Sequence, residues 1–356
     1  MTPTTGTPAR PLRVAIVGAG PTGFYTADHL LRNPEVVVEV DMFDRLPTPY
    51  GLVRLGVAPD HQKIKFVTNA FDKVAASPRF RFYGGVEFGK DVTLADLQAH
   101  YHQIVYCTGA QTDRRMGIPG EDLTGSHPAT EFVAWYNGHP DYRDCAFDLS
   151  QESVAVVGVG NVAADVVRIL CRTPEELATT DIADYALEAL RKSRVREVFL
   201  LGRRGPAQAA FTNPEIRELG ELADADITAI PQEVELDPLS RAAVERSQDR
   251  ATLKKVEMLR EYARRAPTGK SRQLILRFLV SPVELISDGA GRVAAMRLVR
   301  NELYATSTGA LQPRATDRFE ELPVGLGGIR LVRGSRPGRR ARADRSEEHT
   351  SELQSR

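Results

Sequence analysis

Two stretches of this chain share one hydrophobic pattern: an unbroken apolar run, a glycine-rich turn, then an amphipathic segment. The first is Val14-Ala15-Ile16-Val17, Gly18-Ala19-Gly20 and the segment opening at Pro21. The second is Val154-Ala155-Val156-Val157, Gly158-Val159-Gly160 and the segment running through Asp165 to Leu170. Apolar runs that do not alternate mark strands buried on both faces, as in a parallel sheet covered by helices. The runs ending at Asp44, at Cys107 and at Leu201 repeat that signature. Between them the pattern predicts helices from Gln62 to Ala76, from a Thr93/Asp96 capping box to near Tyr101, from Thr173-Pro174-Glu175-Glu176, from Asn213-Pro214-Glu215, and from Ser240 to Arg265. It predicts strands over Arg79 to Phe88, Gln273 to Val280 and Arg292 to Leu303, with a turn at Ser287 to Gly291. The fold class is α/β, with two Rossmann-like nucleotide-binding units.

The glycines say what the turns are for. Gly18 permits a tight strand-to-helix reversal, Gly20 lets the backbone approach a pyrophosphate, and Gly23 allows helix and strand to pack closely. The helix that follows aims unpaired N–H groups and a positive dipole end at the anion. Asp44 closes the next strand about 20 residues on, where an acid meets a ribose hydroxyl pair and repels a 2′-phosphate. The first site therefore suits FAD or NAD. In the second turn Gly158 and Gly160 recur and Ala163 takes the third-glycine position. The next strand, Val198 to Leu201, ends in Gly202-Arg203-Arg204-Gly205 and carries no acid at its tip. Two guanidiniums there fit the 2′-phosphate of NADP, since arginine presents planar paired donors to phosphate oxygens.

Bulk composition changes the picture little. The 356 residues, 42% of them hydrophobic, are enough for two domains. Basic and acidic residues balance at 47 each, so no global field points to nucleic acid or membrane. No apolar run has the length of a membrane span, and a cytoplasmic location is expected. The three cysteines, Cys107, Cys145 and Cys171, form no CxxC pair, which argues against a dithiol redox centre or a zinc site; no metal is expected. One stretch is locally basic: Lys254, Lys255, Arg260 and their neighbours either steer an acidic partner or form a solvated helix face paired with Glu257 and Glu261.

The strings GAGPTGFYTADHLL, PTPYGLVRLGVAPDH, GNVAADVVRIL and GRRGPAQAAFT resemble the adrenodoxin-reductase type of ferredoxin–NADP reductase, bacterial members included, over about residues 12 to 326. The resemblance implies a glutathione-reductase-type architecture with the NADP domain inserted in the FAD domain, hydride transfer from NADPH to FAD, and one-electron transfer to a ferredoxin. It implies FAD contacts from Ala19, Asp44, Leu52 and Val86, and NADP contacts from Gly160, Asn161, Val162, Ala163, Arg203, Arg204 and Glu215. It places His61 and Glu218 near flavin and nicotinamide, where a catalytic role and a plain structural one both stand. It also assigns the basic stretch at Lys254 to an acidic ferredoxin. The domains expected are a disordered tail over 1–11, an FAD unit over 12–110 with its C-terminal part missing, an NADP unit over 111–320, and a remnant strand with a non-native, disordered tail over 321–356.

That last segment departs from the family. After Leu326 the chain turns to arginine, glycine and serine without apolar periodicity, and RSEEHTSELQSR reads like a translated sequencing-adapter oligonucleotide. Residues 327 to 356 are expected to be disordered, and the family's later flavin-contacting stretch is not among them. Two alternatives remain open at this point: a non-catalytic NADP-binding fragment, and a related NADPH-dependent flavin oxidoreductase with another acceptor.

Overall fold

The computed structural model describes residues 4–110 and 115–330, with the backbone alone over 326–330. The chain forms two parallel sheets and one antiparallel sheet. Strands β1 (Leu12–Val17), β2 (Val38–Asp44), β3 (Phe80–Gly84) and β4 (Gln103–Tyr106) make the first, in the order β3-β2-β1-β4. All its pairs are parallel, because each connection crosses through helical or irregular chain rather than a hairpin. Helix Pro21–Leu31 buries Phe24 and Ala27 against Val14, Ile16, Val40 and Met42 on one face, and Leu97 joins Ala15, Val17 and Phe43 on the other. Burial on both faces is why β1 and β2 read as largely apolar runs, whereas the edge strands β3 and β4 are partly exposed.

The second unit follows with β5 (His127–Pro128), β6 (Ser153–Val157), β7 (Glu197–Gly202), β8 (Ala225–Ala229) and β9 (Arg272–Phe278). Strands β10 (Val280–Ser287), β11 (Val293–Ala305) and β12 (Leu311–Pro323) form an antiparallel sheet, and β13 (Leu326–Arg330) returns to the parallel one. The large sheet has the order β5-β13-β6-β7-β9-β8. One face carries helix Asn161–Cys171 and the largest core of the molecule. The other face packs Phe199 and Leu201 against Val280, Leu285, Met296 and Leu298 of the antiparallel sheet.

Several expectations are corrected. The run Gln62 to Ala76 is two helices, Gln62–Lys65 and Thr68–Ala75. The run Ser240 to Arg265 is also two, Pro238–Ser247 and Arg250–Arg264. Gln248 breaks it in the left-handed conformation (φ 49°), and Asp249 caps the second helix through Ala251 N–H. The strand predicted to reach Phe88 stops at Gly84, ahead of Gly85 at φ 72°. In the expected N-terminal tail, residues 4–11 form a turn closed by a Thr7–Arg10 bridge, and Gly6 C=O accepts from Val37 N–H at 2.8 Å. Residues 327–330, expected to be unstructured, belong to β13, which pairs in parallel with β6 and β5. The open backbone edge of β6 rewards pairing whatever the side chains, so composition alone misses such a strand. The expected tail over 331–356 and the unit boundary after residue 110 lie outside the described residues.

Candidate functional site

The two glycine turns are built alike. In the first, Gly18 has φ 107°, and a Cβ there would stand 2.3 Å from Cys107 O. Gly18 N–H donates to Phe43 O, Ala19 C=O accepts from Tyr50 N–H at 2.8 Å, and Phe24 N–H donates to Gly20 O to start the helix. A Cβ on Gly23 would stand 2.2 Å from the Gly18 carbonyl oxygen, whereas Gly20 faces open space, with nothing within 4 Å of a Cβ. In the second turn Gly158 has φ 127° and donates to Leu201 O, Val159 C=O accepts from Ala210 and Phe211 N–H, and Ala164 N–H donates to Gly160 O. Gly160 likewise faces open space, and Ala163 is fully buried. Each helix thus starts beside an open patch of backbone.

The surroundings of the turns differ. Asp44, at the tip of β2, accepts from Ala19 N–H at 2.8 Å and from Leu46 N–H at 2.9 Å. The acid therefore clamps the first turn. Leu52 is 64% exposed beside Gly51, whose own Cβ would meet Gly20 Cα at 2.8 Å. Val86 is half-buried against Val17 and Phe43, and its N–H donates to Asp44 O. At the tip of β7, Arg203 is exposed and Arg204 half-buried. Burial first, then the neighbouring Arg203 charge, lowers the Arg204 pKa. Two like charges are thus held close together at this strand tip.

What holds the arginine loop was not found from sequence. Asn301, buried at a register shift in β11, donates through Nδ2 to Arg203 O at 2.9 Å and to Ser281 Oγ at 2.8 Å. Arg204 O accepts from Leu279 N–H. A buried asparagine in a strand otherwise facing a core was the available signal. Asn161 faces the loop after the arginines, accepting from Thr212 N–H at 2.9 Å, while Val162 is 41% exposed at the helix start.

His61 and Glu218 come together, though 157 residues separate them. His61 Nε2 lies 3.4 Å from Glu218 Oε2 and 3.6 Å from Glu215 Oε2, and its Nδ1 lies 3.6 Å from Asp165 Oδ1. The same Asp165 and Glu215 oxygens bond the Arg168 guanidinium, at 2.7 Å and 3.1 Å. Arg168 also grips Asp60 with two bonds, Nε to Oδ2 at 2.6 Å and a terminal nitrogen to Oδ1 at 3.0 Å. The three groups Asp165, Glu215 and His61 are close enough to hold a cation, but Arg168 already answers both carboxylates.

Burial raises the Asp165 and Glu215 pKa values, with Arg168 and His61 opposing. For Asp60 burial also pushes upward, but the Arg168 bonds and charge, with Arg172 and His61, win and hold it below the usual carboxylate range. The Tyr136 hydroxyl is buried with no hydrogen-bond partner among the described residues, and burial together with Asp165 holds its pKa well above normal. Sequence reasoning passed over Asp60 and Arg168. An arginine inside the apolar run Val166-Val167-Arg168-Ile169-Leu170 was the signal.

The basic trio is only partly free. Lys255 donates to Ala209 O at 2.6 Å and Arg260 pairs with Glu235 at 2.9 Å, while Lys254 is exposed. All three cysteines are free thiols, and burial pushes that of Cys171 up to about 12.

The profile of the pyridine nucleotide-disulphide oxidoreductases matches residues 12–199. NADPH-ferredoxin reductase FprA of Mycobacterium leprae is 45% identical over 317 residues, 88% of this chain and 68% of that protein. The chain belongs to this family. Within it, the mitochondrial NADPH:adrenodoxin oxidoreductase of Arabidopsis thaliana is 43% identical over 321 residues, 88% of this chain and 66% of that one. The solved structure of Mycobacterium tuberculosis FprA in complex with NADPH superposes with a TM-score of 0.85 at 44% identity, covering 91% of this chain and 71% of that one. The chain is thus an adrenodoxin-reductase-type member of the pyridine nucleotide-disulphide oxidoreductases with the two-unit Rossmann-type fold. Among the described residues no helix is long and apolar enough to cross a membrane.

Proposed function

We propose that the chain is an FAD-dependent NADPH:ferredoxin oxidoreductase, and that the contrast between the two strand tips carries this reading: Asp44 at one, Arg203 and Arg204 at the other. The first unit, about residues 12–110, holds FAD through Gly18, Ala19, Gly20 and Gly23, with Asp44 at the ribose and Leu52 and Val86 alongside. The second, over about 111–320 and inserted in the first, holds NADP through Gly158, Gly160, Asn161, Val162 and Ala163, with the arginine pair on the 2′-phosphate. FAD, when bound, supplies the conversion of a two-electron hydride into single electrons.

The protein's own side chains orient and shield that exchange. His61 and Glu218 line the junction of the two units, and Glu215 shares it with them. Hydride transfer requires no side chain to give or take a proton, so their role is positional and electrostatic. The acidic ferredoxin docks on the face of helix Arg250–Arg264 that presents Lys254, with Lys255 and Arg260 adding field rather than contact. The relatives' names support this acceptor. The three free thiols accord with a cytoplasmic setting.

The test is anaerobic spectroscopy of the purified chain. Flavin bands that bleach on adding NADPH, far faster than on adding NADH, and return on adding oxidised ferredoxin are the expected result. A colourless protein that takes up no FAD yet binds NADP would overturn the reductase reading.

A further inference from the structure

Among the described residues, three sets of ion pairs cross from the first unit to the second. Arg45–Asp141 at 2.6 Å and Lys65–Asp181 at 2.7 Å lie where the acids are about half exposed, at 49% and 53%. The third is different in kind. Arg168 has no exposed surface and sits at the junction with acids from both units: Asp60 from the first, Asp165 and Glu215 from the second.

We propose that Arg168 is a positioning residue for hydride transfer, its buried guanidinium clasping Asp60 so that the loop carrying His61 has one fixed seat on the NADP unit. The proposal rests on the function proposed above and concerns how its two sites are held in line. The two-bond grip on Asp60 dictates direction as well as distance, which a lysine ammonium does not. The adjacent Arg172, 2.8 Å from Asp60 Oδ2, adds charge without a second fork. Stability does not explain the arrangement, because desolvating several charges offsets most of what their attraction returns; fixing one arrangement over its competitors is the better-attested use of such a cluster. Alignment of two bound reactants is also where small displacements cost most rate.

The experiment measures alignment and chemistry separately on the full chain. Spin labels on Lys73→Cys and Lys192→Cys, both exposed and one in each unit, with Cys145→Ser in the background, give the inter-unit distance distribution. Arg168→Met is expected to broaden a single narrow distribution at least twofold, and Arg168→Lys to broaden it less. With flavin bound, Arg168→Met is expected to slow flavin reduction by saturating NADPH at least tenfold, while NADP⁺ affinity stays within twofold. Should Arg168→Met fail to fold by circular dichroism, Arg168→Lys and Asp60→Asn carry both readings. An unchanged distribution in the folded variants overturns the proposal, as does a broadened one with unchanged rate. A chain that takes up no flavin defeats the proposed function and with it the hydride-transfer role, and the distance measurement then decides only whether Arg168 fixes the seat of the Asp60 loop.

Discussion

The two glycine turns use the same backbone device and place opposite charges around it. Both have a left-handed glycine bonded to the neighbouring strand, both have an open second glycine, and in both the intervening carbonyl is tied down by an incoming loop. At the tip of β2 the acid is spent partly on the protein itself, holding Ala19 and Leu46 N–H. At the tip of β7 the Arg203 side chain is exposed and that of Arg204 half-buried, and the loop is held through their carbonyls, by Asn301 and Leu279. The lesson is that a dinucleotide turn recognises what all dinucleotides share, while the tip of the following strand chooses among them.

The strongest way to break the comparison is to erase the second tip. Each hydrogen bond to a charged group is worth about 1.5–3 kcal/mol, so Arg203→Ala with Arg204→Ala should weaken NADP⁺ binding by about 10²- to 10⁴-fold. NAD⁺ affinity should move little, since the turn itself is untouched. Calorimetric titration of both nucleotides checks this, and equal losses for both would mean that the arginines support the loop rather than read the phosphate.

The next effect separates fold from ligand within one turn. Gly18→Ala places a Cβ 2.3 Å from Cys107 O at φ 107°, combining backbone strain with overpacking for a loss of about 2–5 kcal/mol in denaturant unfolding. Gly20→Ala meets nothing within 4 Å, so the same measurement should barely move while FAD retention falls. If both variants lose stability equally, the open patch at Gly20 is not a ligand cradle.

Much of this was legible in advance, and the misses have physical causes. Strands that read as apolar runs declare themselves, so β1, β2, β4, β6 and β7 were found to within a residue or two. The Thr93/Asp96 and Thr173/Glu176 boxes form as their spacing predicts. Helix breaks were missed where no glycine or proline marks them: Gln248 takes a left-handed φ, and its only warning is the capping acid that follows. At the junction, His61, Glu218 and Glu215 were named as separate candidates. Arg168, which bonds Glu215 and Asp60, was not, because a contact spanning 108 residues leaves no periodicity to read.

The smallest effect concerns slope and extends the comparison into the junction itself. The first unit contributes Asp60, whose pKa is lowered, and the second contributes Asp165 and Glu215, whose values are raised. Groups raised on folding bind protons in the folded state that the unfolded chain releases, so across the range from their folded values down to about pH 4 their contribution grows as pH falls. The depressed Asp60 works the other way: its contribution is fully present above the unfolded value of about 4 and is lost as pH falls through its folded value. Glu215→Gln keeps the shape while removing one raised group. It should therefore flatten the variant's stability profile relative to the parent between neutrality and about pH 4, leaving the loss at lower pH in place. Denaturant midpoints measured at several pH values read the difference directly. Parallel profiles would mean that Glu215 titrates alike in both states, and that the two units do not meet through acids of opposite character.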